Sequence, residues 1–359
     1  MTWTLVRNSL PLFCLGVATS CAPRTEQPAA DTAAALPAWT WDSTLIFPAD
    51  GSLNRPEDGV ALPDGRLIVA DQVSGLRLIE VDGTSKPFGE FPAAGYTHHP
   101  PTHPGGANGV SLEPGGTHVL MADVLGAVIY RVEIATGKTE KLYQHQYGVN
   151  TAIRDSRGAV WFTQSAHNSP KDGEARLWES IEIARPEGAV YRVPFQDGQP
   201  GQPQLLVDSL FFANGLVLDE AAGHLYVSES TLGRVLRFRV DLATGALSER
   251  TVFVDSIGPD NLELDGAGNL WIAIPFTNEL LVVNTATGVR HSAFRSHTPE
   301  QAAIIAEFTR RGQTGAPRMD LFTPAIWTPL PGLLTGVIVG PTGPVYATGL
   351  GNALVRFSR

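Results

Sequence analysis

The sequence predicts an all-β chain folded as a six-bladed β-propeller. Three observations carry this. A phrase of apolar strand, Asp/Gly turn and apolar strand occurs six times; each copy is followed by a further strand-like run; no helix-spaced repeat lies between the copies. Radial repetition of small antiparallel sheets lets each sheet bury its faces against its neighbours, and only short edges remain. Gly 37 and Pro 27 in 359 residues suit the many turns that such a chain needs.

The elements follow in order. Arg7 precedes a short apolar run, LPLFCLGVA, too short to span a bilayer, and then Thr19-Ser20-Cys21. Residues 1–20 therefore read as a lipoprotein-type signal peptide with Cys21 as the lipidated residue. An ordinary secretory signal cleaved nearby is the alternative, and either makes the chain exported, periplasmic or at the cell surface. Residues 21–42, rich in Pro, Ala and Thr, read as a flexible tether. The propeller is expected over 43–359. Thr44-Leu45-Ile46-Phe47 is an early strand that would join the last blade and close the ring. The six copies are 59–71, 109–123, 151–165, 215–230, 261–274 and 336–349, followed by GLRLIEV, AVIYRVEI, GAVYRVPF, RVLRFRVD, ELLVVN and ALVRFS. Trp161, Trp271 and Tyr346 fall in second strands and read as core. Residues 166–188 form a long excursion within the third blade, read either as an overhang of the site or as a mobile loop. Residues 298–311, TPEQAAIIAEFTRR, carry helical spacing after a Thr-Pro start and predict a surface helix.

The residues that precede each first strand are Asp58, Asn108, Asn150, Asn214, Asp260 and Thr335. Glu57 stands beside Asp58 and Asn261 beside Asp260. In a propeller the innermost strands all start from one face, so this column becomes a ring of oxygen-bearing side chains at the channel mouth. Asp and Asn also form turns, which accounts for any one copy. The whole column is better matched to a hard cation, because calcium takes six to eight oxygen ligands in loose geometry. Zinc fits poorly. Both cysteines, Cys14 and Cys21, lie in the signal segment, and no His pair stands at ligand spacing.

A formal net charge of −10 argues against nucleic acid or an anionic membrane surface as partner. Membrane contact would come through the lipid anchor alone, and a monomer is expected. No GxSxG is present and the body has no cysteine, so no nucleophile motif competes. The HHPPTHPGG loop carries His98, His99 and His103 just before Asn108; it reads as a solvated loop or as a lid supplying a proton donor. His145, His167, His224 and His291 read as surface residues.

FFANGLVLDEAAGHLYVSES, GRVLRFRVD and GPDNLELDGAGNLWIAI resemble the SMP-30/gluconolactonase and strictosidine-synthase-like superfamily, over roughly residues 43–359. The resemblance implies one catalytic calcium held by Glu57, Asn150, Asn214 and Asp260. The Glu57-Asp58 and Asp260-Asn261 pairs look more like the paraoxonase branch, which implies Asn261 as a further ligand and Asp58 near a second ion. The chain departs from that branch where histidines are usual, at Asn108 and near Asp123. It departs from the gluconolactonases at Asn150-Thr151-Ala152, where Asn-Asp-Gly is usual.

The reaction expected from this resemblance is hydrolysis of a lactone or simple ester, with calcium polarising the carbonyl. Asp260 is the first candidate for general base and Asp123 the second. Asn108 and His103 are candidate substrate contacts. The alternative is a non-catalytic binding propeller braced by a structural ion.

Overall fold

The computed structural model describes residues 36–358. They form six four-stranded antiparallel sheets, with helices Gly173–Glu182 (α1) and Pro299–Thr314 (α2) set between strands. The expected propeller is the observed fold. Its first strands, Gly59–Ala61, Ala107–Leu112, Ala152–Arg154, Ala213–Asp219, Leu262–Leu264 and Leu334–Val339, touch one another in that order, and the last meets the first. That circuit makes them the innermost strands.

Packing follows the circuit. One apolar cluster fills each seam between neighbouring blades, beginning with Ile68, Leu76, Met121 and Tyr130 between the first and second. Trp161 and Trp271 are core, as expected, with 0% and 3% of their surface exposed. Each indole Nε1 donates to a turn carboxylate, Asp155 at 2.8 Å and Asp265 at 2.9 Å. A buried indole N–H needs such a partner, so the turn aspartates serve the core as well as the turn.

Ile46–Phe47 pairs antiparallel with Leu354 and Val355 and forms the outer strand of the sixth blade. The ring closes as expected, although Ser43–Leu45 is a 3-10 turn rather than strand. The compact unit begins at Leu36, earlier than the boundary at residue 43. Apolar rings explain the shift: Trp39 stacks on Phe357 at 4.6 Å, and its Nε1 donates to the Ser358 carbonyl. Leu36, Trp39 and Trp41 all pack on the seam between the fifth and sixth blades. The signal segment, Cys21 and the earlier part of the tether lie outside the described residues.

The α2 helix answers the expectation at 298–311, with Thr298 and Gln301 forming a reciprocal capping box. The α1 helix was not expected. Its N-cap Asp172 makes no side-chain cap bond.

Candidate functional site

The first strands begin in two alternating ways. In the second, fourth and sixth blades the ladder starts early and carries a bulge, between Ala107 and Val110, Ala213 and Leu216, and Leu334 and Gly336. In the other three it starts later, at Gly59, Ala152 and Leu262. A bulge re-aims the side chains within it. Asn108, Asn214 and Thr335 sit in the bulges, while Glu57, Asn150 and Asp260 each lie two residues before their strand. All six line one cavity of about 90 Å³. The first blade's member of the ring is thus Glu57 and not Asp58.

Glycine makes the ring tight. Each bulged residue is followed by one: Gly109, Gly215 and Gly336. A Cβ on Gly109 would lie 2.8 Å from the Asn150 carbonyl oxygen, and one on Gly215 would lie 2.6 Å from that of Asp260. Only a bare α-carbon lets neighbouring backbones approach so closely. Two residues ahead of donors, Arg55 and Phe212 hold positive φ of 55° and 60°. Such backbone costs about 1–2 kcal/mol per non-glycine residue and clusters at functional sites. Both side chains line the cavity, and neither was singled out from sequence.

The hydrogen bonds assign the oxygens. Asn261 donates its amide N–H groups to both Glu57 oxygens, at 3.1 Å each. It thereby positions Glu57; its own Oδ1 lies 3.4 Å from the Thr151 hydroxyl, and Asn261, the further ligand that the resemblance implied, is not among the residues that line the cavity. The Asn150 Oδ1 accepts from the Thr151 hydroxyl at 3.2 Å, and Asn108 donates to the Asn150 carbonyl. The Asn214 Oδ1 and Asp260 Oδ1 are buried and have no hydrogen-bond partner among the described residues.

Burial governs the charges. It holds the Glu57 carboxyl well above the usual range, and the nearby charges of Asp260 and Asp58 add to this. Burial also raises Asp260 to about 8, against an opposing hydrogen bond from Asn214. Two carboxylates that resist ionisation, beside unpartnered amide and carboxyl oxygens, form a site short of positive charge. Among the described residues no three or more His, Cys, Asp and Glu side chains cluster as metal ligands. The donors beyond Glu57 and Asp260 are carboxamides, which suits a hard cation with mixed oxygen ligands.

The other candidates sit elsewhere. Asp58 lies further along the channel on a second cavity of about 420 Å³, where burial raises it to about 7 and its neighbour Glu263 to about 8. Its Oδ2 accepts from the Val110 N–H at 3.0 Å. Asp123 ends its strand opposite Ala107, at the same end of the blade as Asn108. Its Oδ1 accepts from the N–H groups of Leu125 and Gly126, so it shapes a turn and does not line the site cavity. Asp71 does the same in the first blade, accepting from Val73 and Ser74. His103 is half-buried, tied by paired backbone bonds to His99, and outside the cavity. Two surface readings change. His145 packs against Phe162 and Tyr191 and meets Gln164 at 3.0 Å, with its pKa lowered by burial; His291 meets the Pro37 carbonyl oxygen at 2.7 Å.

The excursion 166–188 overhangs the site. Leu177, Trp178 and Ile181 of α1 line the cavity opposite the oxygen ring. Arg55 ties the roof down: its Nη1 bonds Glu174 at 2.9 Å and its guanidinium lies 5.6 Å from the Trp178 ring centre.

Residues 136–305 match the family model described as the SMP-30/gluconolactonase/LRE-like region. The resemblance to that superfamily stands. Among curated relatives, strictosidine synthase-like protein 7 of Arabidopsis thaliana is 27% identical over 146 residues, covering 38% of this chain and 36% of its own length. The adipocyte plasma membrane-associated protein of Salmo salar is 26% identical over 227 residues, covering 58% and 51%. The chain thus spans about half or less of these two relatives. Among solved structures, a gluconolactonase of Xanthomonas campestris superposes with a TM-score of 0.56 at 20% identity, covering 86% of this chain and 87% of that one. Regucalcin of Agrobacterium tumefaciens, described as calcium-binding, superposes with a TM-score of 0.54 at 15% identity, covering 89% and 95%. At these identities the structures show a shared fold.

Proposed function

We propose that this chain is a calcium-dependent hydrolase of a lactone or simple ester. One observation carries the reading: the buried, unpartnered Asn214 Oδ1 and Asp260 Oδ1 share a cavity with Glu57 and Asn150. Buried polar oxygens without partners are costly, and a cation at this point would satisfy them. Glu57, Asn150, Asn214 and Asp260 would hold the ion. When bound, it would supply Lewis-acid polarisation of the substrate carbonyl.

The chain's own groups do the rest. Asn261 fixes the Glu57 carboxylate by two hydrogen bonds. Asp260, ionised beside the ion, would take the proton of the attacking water through whichever carboxylate oxygen the ion leaves free. Asn108 lines the floor beside them as a substrate contact. The α1 roof keeps bulk water from the reacting atoms. The gluconolactonase and regucalcin neighbours support this reading through the shared fold.

The test is turnover of a lactone and aryl-ester panel with and without chelator, beside calcium calorimetry on wild type, Asp260→Ala and Asn214→Ala. Metal-dependent turnover, with affinity lost in both variants, supports the enzyme. Tight calcium binding without turnover supports the binding-propeller alternative. The proposal also places a monomeric chain outside the cytoplasm, anchored at Cys21. Acyl labelling that survives in Cys21→Ser would remove the anchor from it.

A further inference from the structure

We infer that the site takes substrates whose non-reacting part is a small apolar alkyl or aryl group lodged beneath α1, and that Trp178 selects for it against polyhydroxylated rings. This rests on the hydrolase reading for its chemistry, although the ligand class follows from the cavity wall alone.

The cavity has two unlike halves. Its oxygen donors all come from the strand starts, so polarity is confined to the floor. The facing wall is Leu177, Trp178 and Ile181 of α1, with Phe212, Phe276 and Phe322 beside them. Two polar residues line the cavity away from the floor, and both are engaged. Arg55 bonds Glu174 and lies over Trp178. The Thr231 hydroxyl donates to the Phe211 carbonyl at 3.0 Å. A sugar lactone carries hydroxyls around its ring. Once its carbonyl is directed to the floor, those hydroxyls would face carbon, and each unpartnered one would weaken binding by about tenfold or more. An alkyl chain gains instead, by about fourfold for each buried methylene. A volume of about 90 Å³ keeps the group small.

The wall is a built feature. The Arg318 Nε donates to the Ile181 carbonyl at 2.8 Å, and the Glu182 carboxylate accepts the backbone N–H groups of Arg318 and Met319. Trp178 is held between Arg55 and Phe322, whose ring centre is 5.6 Å away. A residue with two such contacts would lose both on turning aside to admit a wet ring, which favours discrimination by shape.

The experiment titrates the full chain, in calcium-containing buffer, with two non-hydrolysable probes: a short-chain alkyl γ-lactam and gluconolactam. Turnover of the matching lactones and of phenyl acetate is measured in parallel. The expected result is alkyl lactam binding at least tenfold tighter than gluconolactam. Trp178→Ala should lose about tenfold for the alkyl probe, and Trp178→Phe should retain most of it. Unchanged calcium affinity in both variants would show the floor intact. Tighter binding of gluconolactam, binding of neither probe, or an alkyl affinity indifferent to Trp178→Ala overturns the inference. Alkyl lactam binding with no turnover of any substrate would uphold the ligand class and sink the hydrolase reading instead.

Discussion

Replacing Asp260 by Asn should spare the ion-free protein a loss of stability that the wild type suffers as pH rises, and should abolish its response to calcium. Asp260 is raised by burial to about 8, while its ordinary value is 3.8. Between those values the native state holds a proton that the unfolded chain has released. The contribution of this group is then complete below about pH 4 and falls as pH climbs towards 8. The slope for one such group approaches about 1.4 kcal/mol per pH unit, so a group raised this far contributes on the order of 4 kcal/mol between pH 5 and 8, shared here with the neighbouring Glu57 and Asp58 carboxyls. That is a large part of a typical folding free energy of about 5–15 kcal/mol. Asn has the same shape and no proton to lose, so Asp260→Asn removes its share of this slope. Urea denaturation in chelator at several pH values measures it. Calcium should restore wild-type stability near pH 8 and do little for the variant. Ion-free wild type whose stability is flat or rising over that range, with a slope matching the variant's, would refute the reasoning.

Further expectations concern the supports of the site. Asn261→Ala removes both hydrogen bonds to Glu57 and should weaken calcium about 10- to 100-fold by calorimetry, as outer supports of metal ligands do. Asp123→Ala strips the acceptor from two turn N–H groups and should cost about 1–3 kcal/mol in urea denaturation. Its turnover per folded molecule should stay at the wild-type level; a loss would return Asp123 to the chemistry. Trp39→Ala, which empties a stacked contact on Phe357, should destabilise by about 2 kcal/mol and leave calcium affinity intact.

The sequence carried the architecture because each blade repeats one pattern, and repetition survives the loss of any single signal. The oxygen ring was legible for the same reason, as a column seen six times over. Reading Asp58 as the first blade's member failed because that strand opens on Gly59, so alignment at the first apolar residue, Val60, slips the column by one relative to the strands that open on Ala152 and Leu262. Asp123 misled because a carboxylate at a strand end looks alike whether it faces a cavity or caps a turn; Asp71, in the same role, was the available warning. The α1 helix has Leu177 and Ile181 four apart, a signal blurred by charged neighbours. Arg55 and Phe212 owe their places to positive φ, which neither residue type announces.

The floor of the cavity draws one side chain from every blade. No contiguous stretch shorter than Glu57 to Asp260 contains the four proposed ion donors, and the stretch matched by the family model, 136–305, leaves Glu57 out. Affinity for the ion would therefore exist only once distant parts of the chain have met, and each binding event would reward the completed circle over every partial one. On this view the cation is also a latch: a late arrival in folding that holds shut a hoop whose own fastening is the two-residue strand Ile46–Phe47.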